Sequence, residues 1–229
     1  MSDWQTVLEV REQTDQSRPT FVTPGPFVTI SRQYGCSGFA LGLLLAEILN
    51  QSALAGKAWK VYGREILEQL AEEHCLDVEY LVQLSRQKPG LVMEFVRSLS
   101  ETPIPTARAL RNHIAELVRG LAYRGYAIII GQGGSGATMD LAENGLSVRL
   151  EAPPAWRICE ICRRKSIAPA QAREEIVRED KDREYRRKIY SMRFPREPAF
   201  DVTYDSSRFT LAQIAQHVAC LLHLRRLVP

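Results

Sequence analysis

The sequence predicts an α/β protein in which helices cover both faces of a mainly parallel sheet. Three observations lead there. Short apolar stretches such as "FVTI" (27–30) and "YAIII" (126–130) alternate with longer amphipathic segments, the pattern of strands joined by right-handed helical crossovers. Each of those two strands empties into a turn of small residues, "RQYGCSG" and "GQGGSGA", where ligands of open α/β sheets bind. A chain of 229 residues with 45% apolar content is also long enough for one large α/β domain, or a domain with an inserted subdomain, with a substantial core.

Each element follows in order. Residues 1–26 are polar and broken by Pro19, Pro24 and Pro26; they read as a loose arm with a short helix around Trp4–Val10. The domain proper spans 27–229. Phe27–Ile30 is short, apolar and β-branched, a buried strand. The helix after it carries Leu41, Leu44, Leu45 and Ile48 on one face. Trp59–Tyr62 is a weak second strand. Helices are expected over Arg64–His74 and Asp77–Ser85, and within 87–105 around "LVMEFVRSL". A long helix over Thr106–Arg124 presents Leu110, Ile114, Leu117, Val118 and Leu121, and Gly125 closes it. "YAIIIG" is apolar without interruption, as a strand covered on both faces is. Leu146–Glu151 is a further strand, followed by a helix from Ala155. Ala168–Tyr190 is a highly charged helix within a lid region at about 163–197. "FDVTYDSS" is the last strand. Leu211, Ile214, Ala215, Val218, Leu221 and Leu222 mark an amphipathic closing helix.

The bulk numbers exclude more than they assign. A net charge of +3 is too small to argue for nucleic acid, although basic residues concentrate between Arg157 and Arg196. No apolar run reaches the length that spans a membrane, and the first twenty residues lack a signal-peptide core, so a cytoplasmic location is expected. The five cysteines have no framework spacing. Cys159 and Cys162 lie in "AWRICEICRRK" without a second pair to complete a zinc site, and read as small apolar residues on a helix.

The turn from Ser31 to Gly38 has the makings of an anion cradle. A strand–loop–helix junction points unpaired amides at whatever sits over the helix start. Gly35 and Gly38 allow close curvature, Ser31 and Ser37 add hydroxyls, and Arg32 adds a fixed charge. The standard phosphate loop, G-x-x-x-x-G-K-[ST], is not matched. With Gly35 on its interior, Arg32 and Ser37 take the places of the two glycines, Gly38 that of the lysine and Phe39 that of the hydroxyl. Spacing alone leaves open a tight turn that simply needs small residues. The second turn, Gly131–Gly136, allows close backbone approach, with Gln132 able to read a base or sugar edge; a flexible connection is the other reading. In "QAREEIVREDKDREYRRK" (171–188), Arg183 and Arg187 share a helix face, as do Glu179 and Arg183. Such a run is either a solvated face or a set of arginines that closes over phosphates.

Together these segments resemble the cytidylate kinase-like family, a divergent branch of the P-loop nucleoside monophosphate kinases. "VTISRQYGCSG" (28–38) is similar to that family's opening, whose loop also lacks the usual lysine. "VYGREIL" (61–67), "IIIGQGGSGA" (128–137), "SVRLEAPPAWRI" (147–158), "DKDREYRRKIY" (180–190) and "FDVTYDSSR" (200–208) resemble its later segments in the same order. The chain departs from the pattern at Phe39-Ala40 in place of Arg-Glu, at Gly63 in place of aspartate and at Gln132 in place of arginine.

The resemblance implies a P-loop NTPase-type three-layer sandwich with a helical lid. It implies a phosphotransferase that uses ATP and Mg2+, with a nucleoside monophosphate of the CMP type as acceptor. Ser31, Arg32, Gln33, Tyr34, Gly35, Cys36, Ser37 and Gly38 would hold the donor phosphates. Arg32, Arg157, Asp180, Arg183 and Arg187 would stabilise charge in transfer, Asp180 by orienting the lid arginines or a magnesium-bound water. Arg64, Gly131, Gln132 and Gly133 would border the acceptor. The other reading is a nucleotide-binding or regulatory protein that kept the fold without turnover. A nucleic-acid binder ranks last, because acidic residues interleave with the arginines. The apolar helices between Leu91 and Leu121 either cover the core or form a homodimer face.

Overall fold

The computed structural model describes residues 24–51, 57–63, 107–191 and 199–229. The helices expected within 64–105, Arg64, Cys75, the arm up to residue 23 and the end of the lid at 192–198 lie outside the described residues. Among the described residues, five strands form one sheet in the order β2-β3-β1-β4-β5, and each of their pairings is parallel. They are β1 (Phe27–Arg32), β2 (Lys60–Tyr62), β3 (Ala127–Ile130), β4 (Gly145–Glu151) and β5 (Val202–Asp205). The chain leaves β1 at the centre, builds β2 and β3 to one side, then crosses to β4 and β5 on the other. The loop after β1 therefore sits where the strand order reverses, the place where such sheets bind ligands.

The helices divide by sheet face. Helix α1 (Gly38–Gln51) and helix α6 (Leu211–Leu224) cover one face. Their Leu41, Leu45, Leu49, Ile214, Val218 and Leu222 pack with Val28, Ile30, Ile128, Ile130, Val148 and Leu150 into one core. The expected inward face of α1 is rotated in part. Leu41 and Leu45 are buried, whereas Leu44 and Ile48 are half-buried and Gly42 and Leu49 take inner positions. Gly42 is there because the helix approaches the sheet closely: a Cβ would stand 2.9 Å from Ile130 Cδ1 and 3.0 Å from Val61 Cγ1.

Helix α2 (Ala107–Arg124) and the one-turn helix α3 (Gly134–Ala137) cover the other face. Ile114, Val118 and Leu121 are buried as the periodicity predicts. Gly125, at φ +76°, ends α2, and its amide donates to Leu121 O at 3.0 Å. The end of the arm is pinned at this corner, with the Gly25 amide donating to Tyr123 O at 3.1 Å. Arg119 pairs with Asp140 at 2.6 Å and also donates to Ala137 O at 2.8 Å, which ties α3 to α2. A capping box at Thr210 and Gln213 starts α6.

Helices α4 (Pro154–Lys165) and α5 (Pro169–Ser191) form a hairpin over the carboxyl ends of the strands. Ser166, left-handed at φ +55°, stops α4, and its amide donates to Cys162 O at 2.8 Å. Pro169 opens α5. The hairpin has its own small core of Ile161, Ala172 and Ile176, against which Tyr34 packs from the loop. Cys162 is half-buried beside this cluster and Cys159 is exposed, so the pair lies on a helix flank as the sequence suggests. No described helix is long and apolar enough to cross a membrane.

Candidate functional site

The loop from Gln33 to Ser37 is built by the protein's own hydrogen bonds. The Gln33 amide continues the ladder to Leu150 O at 2.9 Å, and its side-chain oxygen accepts from the Ala152 amide at 3.0 Å. The Cys36 amide donates to Gln33 O at 3.2 Å and the Gly38 amide to Cys36 O at 2.9 Å. Gly35 sits at φ +101° with its Cα against Arg157, where a Cβ would lie 3.0 Å from that residue's Cβ. The Tyr34 amide is held by Asp180 Oδ1 at 2.7 Å. Among the described residues, the amides of Gly35, Ser37, Phe39 and Ala40 have no acceptor. These four are the open donors at the start of α1.

The α4–α5 hairpin docks directly on this loop. Arg157, 5% exposed, donates from Nε to Ala152 O at 3.1 Å and from Nη1 to Tyr34 O at 3.2 Å, and its Nη1 also pairs with Asp180. One guanidinium thus joins the end of β4, the loop and α5. Arg183 donates to Arg32 O at 3.2 Å and stands 5.2 Å from the centre of the Tyr34 ring. Lys165 lies 5.6 Å from the same ring and pairs with Glu175 at 2.6 Å. Glu175 accepts in turn from the Tyr34 hydroxyl at 2.9 Å. Its bond from Lys165 holds the Glu175 carboxyl below the usual carboxylate range and raises the Lys165 ammonium above its own. Arg187, one turn beyond Arg183, turns to Glu184 and to the Phe200 ring, 5.6 Å away, rather than to the loop.

Arg32 and the two expected glycine turns meet. The Arg32 side chain runs past Gly38, where a Cβ would lie 3.0 Å from Arg32 Cδ. Its guanidinium reaches the second turn, where a Cβ on Gly131 would collide with a terminal nitrogen and lie 3.1 Å from Cζ. Gly131, Gln132 and Gly133 are all left-handed, at φ +72°, +52° and +71°. This turn is ordered into α3 by the Gly134 amide, which donates to Gly131 O at 2.8 Å. Ser31 accepts from Arg149 at 2.9 Å, and Arg149 also pairs with Glu151 at 3.1 Å. Cys36 is buried, and burial pushes its thiol up.

Four of the five expected charged residues, Arg32, Arg157, Asp180 and Arg183, therefore converge on the loop, while Arg187 stands beside it. Two neighbours escaped the sequence reading. Arg149 shares its register with Ser31 across β4 and β1, a pairing that sequence alone does not give. Arg164 donates to Ser37 Oγ at 3.0 Å and to the Gly35 carbonyl. Its signal was available: it follows Arg157 by seven residues, two turns along the same helix face. Among the described residues, no group of three or more metal-ligating side chains is assembled. A Mg2+ ion, which typically keeps several waters and binds through substrate phosphates, fits such a site as an ion carried by a nucleotide.

Solved structures share this architecture. A crystal structure of an uncharacterized protein from Eubacterium ventriosum superposes with a TM-score of 0.61 at 13% identity, covering 86% of this chain and 98% of that one. A shikimate kinase from Acinetobacter baumannii, solved in complex with shikimate, gives a TM-score of 0.50 at 13% identity, covering 90% and 97%. At such identities the likeness shows the fold alone. No curated protein sequence matches the chain. The model of the cytidylate kinase-like family matches residues 27–208, the stretch that runs from β1 through the lid to the turn after β5, and the chain belongs to that family.

Proposed function

We propose that the protein moves the γ-phosphoryl group of ATP to a nucleoside monophosphate of the CMP type. The observation that carries this reading is the docking of Asp180 and Arg183 of α5 onto the loop after β1 while amides at the start of α1 stay open. Phosphoryl transfer asks the protein for position and charge rather than for covalent chemistry. The amides of Gly35, Ser37, Phe39 and Ala40 hold the donor's phosphates. Asp180 and Arg157 lock the lid to the loop, so Asp180 acts by orienting an arginine. Arg32, reaching from the first glycine turn to the second, lies between donor and acceptor and faces the charge that develops as the bond from the bridging oxygen to Pγ breaks and the bond to the acceptor phosphate oxygen forms. ADP leaves with the electron pair of the broken bond. Gly131–Gly133 border the acceptor, with Arg64 as a further contact. Mg2+, carried on the nucleotide, would neutralise part of the phosphate charge.

Two features favour a second reading, nucleotide binding without turnover. Of the six amides from Gln33 to Gly38, those of Gln33, Tyr34, Cys36 and Gly38 are already bonded within the protein, and Gln132 supplies no charge at the second turn. ADP formation from ATP and Mg2+ with a panel of nucleoside monophosphates separates the two. Acceptor-dependent ADP formation, greatest with CMP, is the expected result. Saturable ATP binding with no ADP across the panel would select the second reading.

A further inference from the structure

We propose that the sheet holds a binding site for one buried water molecule, formed by Thr29 of β1 and Ser147 of β4 on the side covered by α3. The two residues are register partners on adjacent strands, and their side chains line one pocket. Both are buried, Thr29 to 2% exposure and Ser147 to 8%. Among the described residues neither hydroxyl has a hydrogen-bond partner, the other hydroxyl included. A hydroxyl buried without a partner costs free energy, so two side by side need an explanation. The backbone does not supply one. β1 is paired on both sides, to β3 and β4, and β4 to β1 and β5, which commits the amides and carbonyls to the ladders. The partner has to come from the space that the two side chains share.

That space is a small pocket of about 10 Å³, lined from the helix side by Ser135 and Thr138 and from the β5 side by Asp201. It has room for one water and little more. The lining also has the chemistry a water needs. Thr29 and Ser147 each offer one proton and two lone pairs. Thr138 donates its own proton to Gly134 O at 2.9 Å, which leaves its oxygen able to accept. A water bonded to these three hydroxyls makes three hydrogen bonds, about the usual number for a buried water. A cation suits the pocket less. Asp201 is the one carboxylate in the lining; it accepts from the Ser147 amide at 2.7 Å and stands 3.9 Å from Arg225. The place of the water gives it a task. Toward β3, α3 rests directly on the sheet, where a Cβ on Gly134 would lie 3.3 Å from Ile129 Cγ2 and 3.4 Å from Thr29 Cγ2. Toward β4 the pocket lies between strand and helix, and the water bridges it. It thereby helps to seat α3 and the glycine turn, Gly131–Gly133, that leads into it.

The test uses the full chain without nucleotide, so its outcome is independent of the phosphoryl-transfer reading. A crystal structure that resolves ordered water should show one within about 2.7–3.2 Å of both Thr29 Oγ1 and Ser147 Oγ. Thermal unfolding is then compared for the wild type, Thr29→Val, Ser147→Ala and the double variant. Each single change takes a bond from the water and should lower Tm by roughly 2–4 °C. The double change should lower it by clearly less than the sum, because both hydroxyls act through one water. Amide exchange at Gly134 and Ala137, whose amides donate to Gly131 O and Gly133 O, should quicken in all three variants. Unchanged exchange there would overturn the water's part in seating α3. Hydroxyls that are simply left unpaired predict the opposite sign, a Thr29→Val protein as stable as the wild type or more so. That result overturns the site, as does a dry pocket in the crystal. A Tm that rises when K+ or Na+ replaces choline at equal ionic strength would give the pocket to a cation and overturn its assignment to water.

Discussion

Gly131→Ala tests whether the second glycine turn exists to seat Arg32. Two costs follow from the geometry. The backbone sits at φ +72°, where an L side chain costs roughly 1–2 kcal/mol, offset by up to about 1 kcal/mol from the smaller entropy of the unfolded chain. A net loss of about 1 kcal/mol lowers the Tm of a chain this size by roughly 2–4 °C. The second cost is local. The new methyl would lie 3.1 Å from Arg32 Cζ and collide with a terminal nitrogen. Because that is the far end of a flexible side chain, the guanidinium swings away at little cost in stability. A shift of about 1 Å at a reacting centre nevertheless lowers rates by around a hundredfold. The two costs separate in a double-mutant cycle with Arg32→Ala, read by thermal unfolding and by ADP formation, or by ATP affinity should turnover be absent. With Arg32 already removed, Gly131→Ala should still lower Tm by the backbone amount but cause no further loss of function. Fully additive functional losses would refute the idea that Gly131 acts through Arg32.

Three further predictions concern the frame around the site. Gly42→Ala gains about 1 kcal/mol of helix propensity, but its methyl meets Ile130 and Val61 at 2.9 and 3.0 Å, and overpacking of about 1–3 kcal/mol should win; urea unfolding should show a lower midpoint with an unchanged slope. Asp180→Asn keeps an oxygen for the Tyr34 amide but leaves the buried Arg157 charge uncompensated. The usual cost of about 3–5 kcal/mol falls to roughly 1–3, because Asp180 is 26% exposed, and chemical denaturation should show that loss. Glu175 and Glu184, held below the usual carboxylate range by Lys165 and Arg187, contribute stability that is present at neutral pH and disappears as pH falls through their lowered values. Amide-exchange protection along α5 should therefore decline below about pH 4, and a profile flat through that range would count against the Tyr34–Glu175–Lys165 clasp.

The elements were legible because local and tertiary demands agree in them. β3 is apolar without a break and lies between β1 and β2. Gly125 ends α2 in the left-handed conformation that only glycine adopts freely. The inward face of α1 was harder to read, because two partners, the sheet and α6, bury it over a wider arc than a single stripe. Leu44 and Ile48, in place in the pattern, end at the margin, while Gly42, invisible to a hydrophobic count, sits at the closest approach. The hydrogen bonds of the loop were not legible either. That Tyr34 offers its amide to Asp180, 146 residues away, depends on how the lid folds back, and periodicity carries no information about that.

The same limit explains why the missing lysine looked like a simple loss. Read along the chain, Gly38 is an absence, Gly131 is one more flexible residue and Arg32 is a charge beside a turn. In three dimensions they form one arrangement: Gly38 leaves the corridor through which Arg32 passes, and Gly131 leaves the space in which its guanidinium stops. A lysine at position 38 would compete for that corridor, so restoring the standard motif by a single Gly38→Lys change would displace Arg32 rather than add a cation. The lysine of the common loop has no counterpart at its own position, and the charge nearest the corridor, on Arg32 at the end of β1, is not found from the motif because it does not stand at the lysine's place.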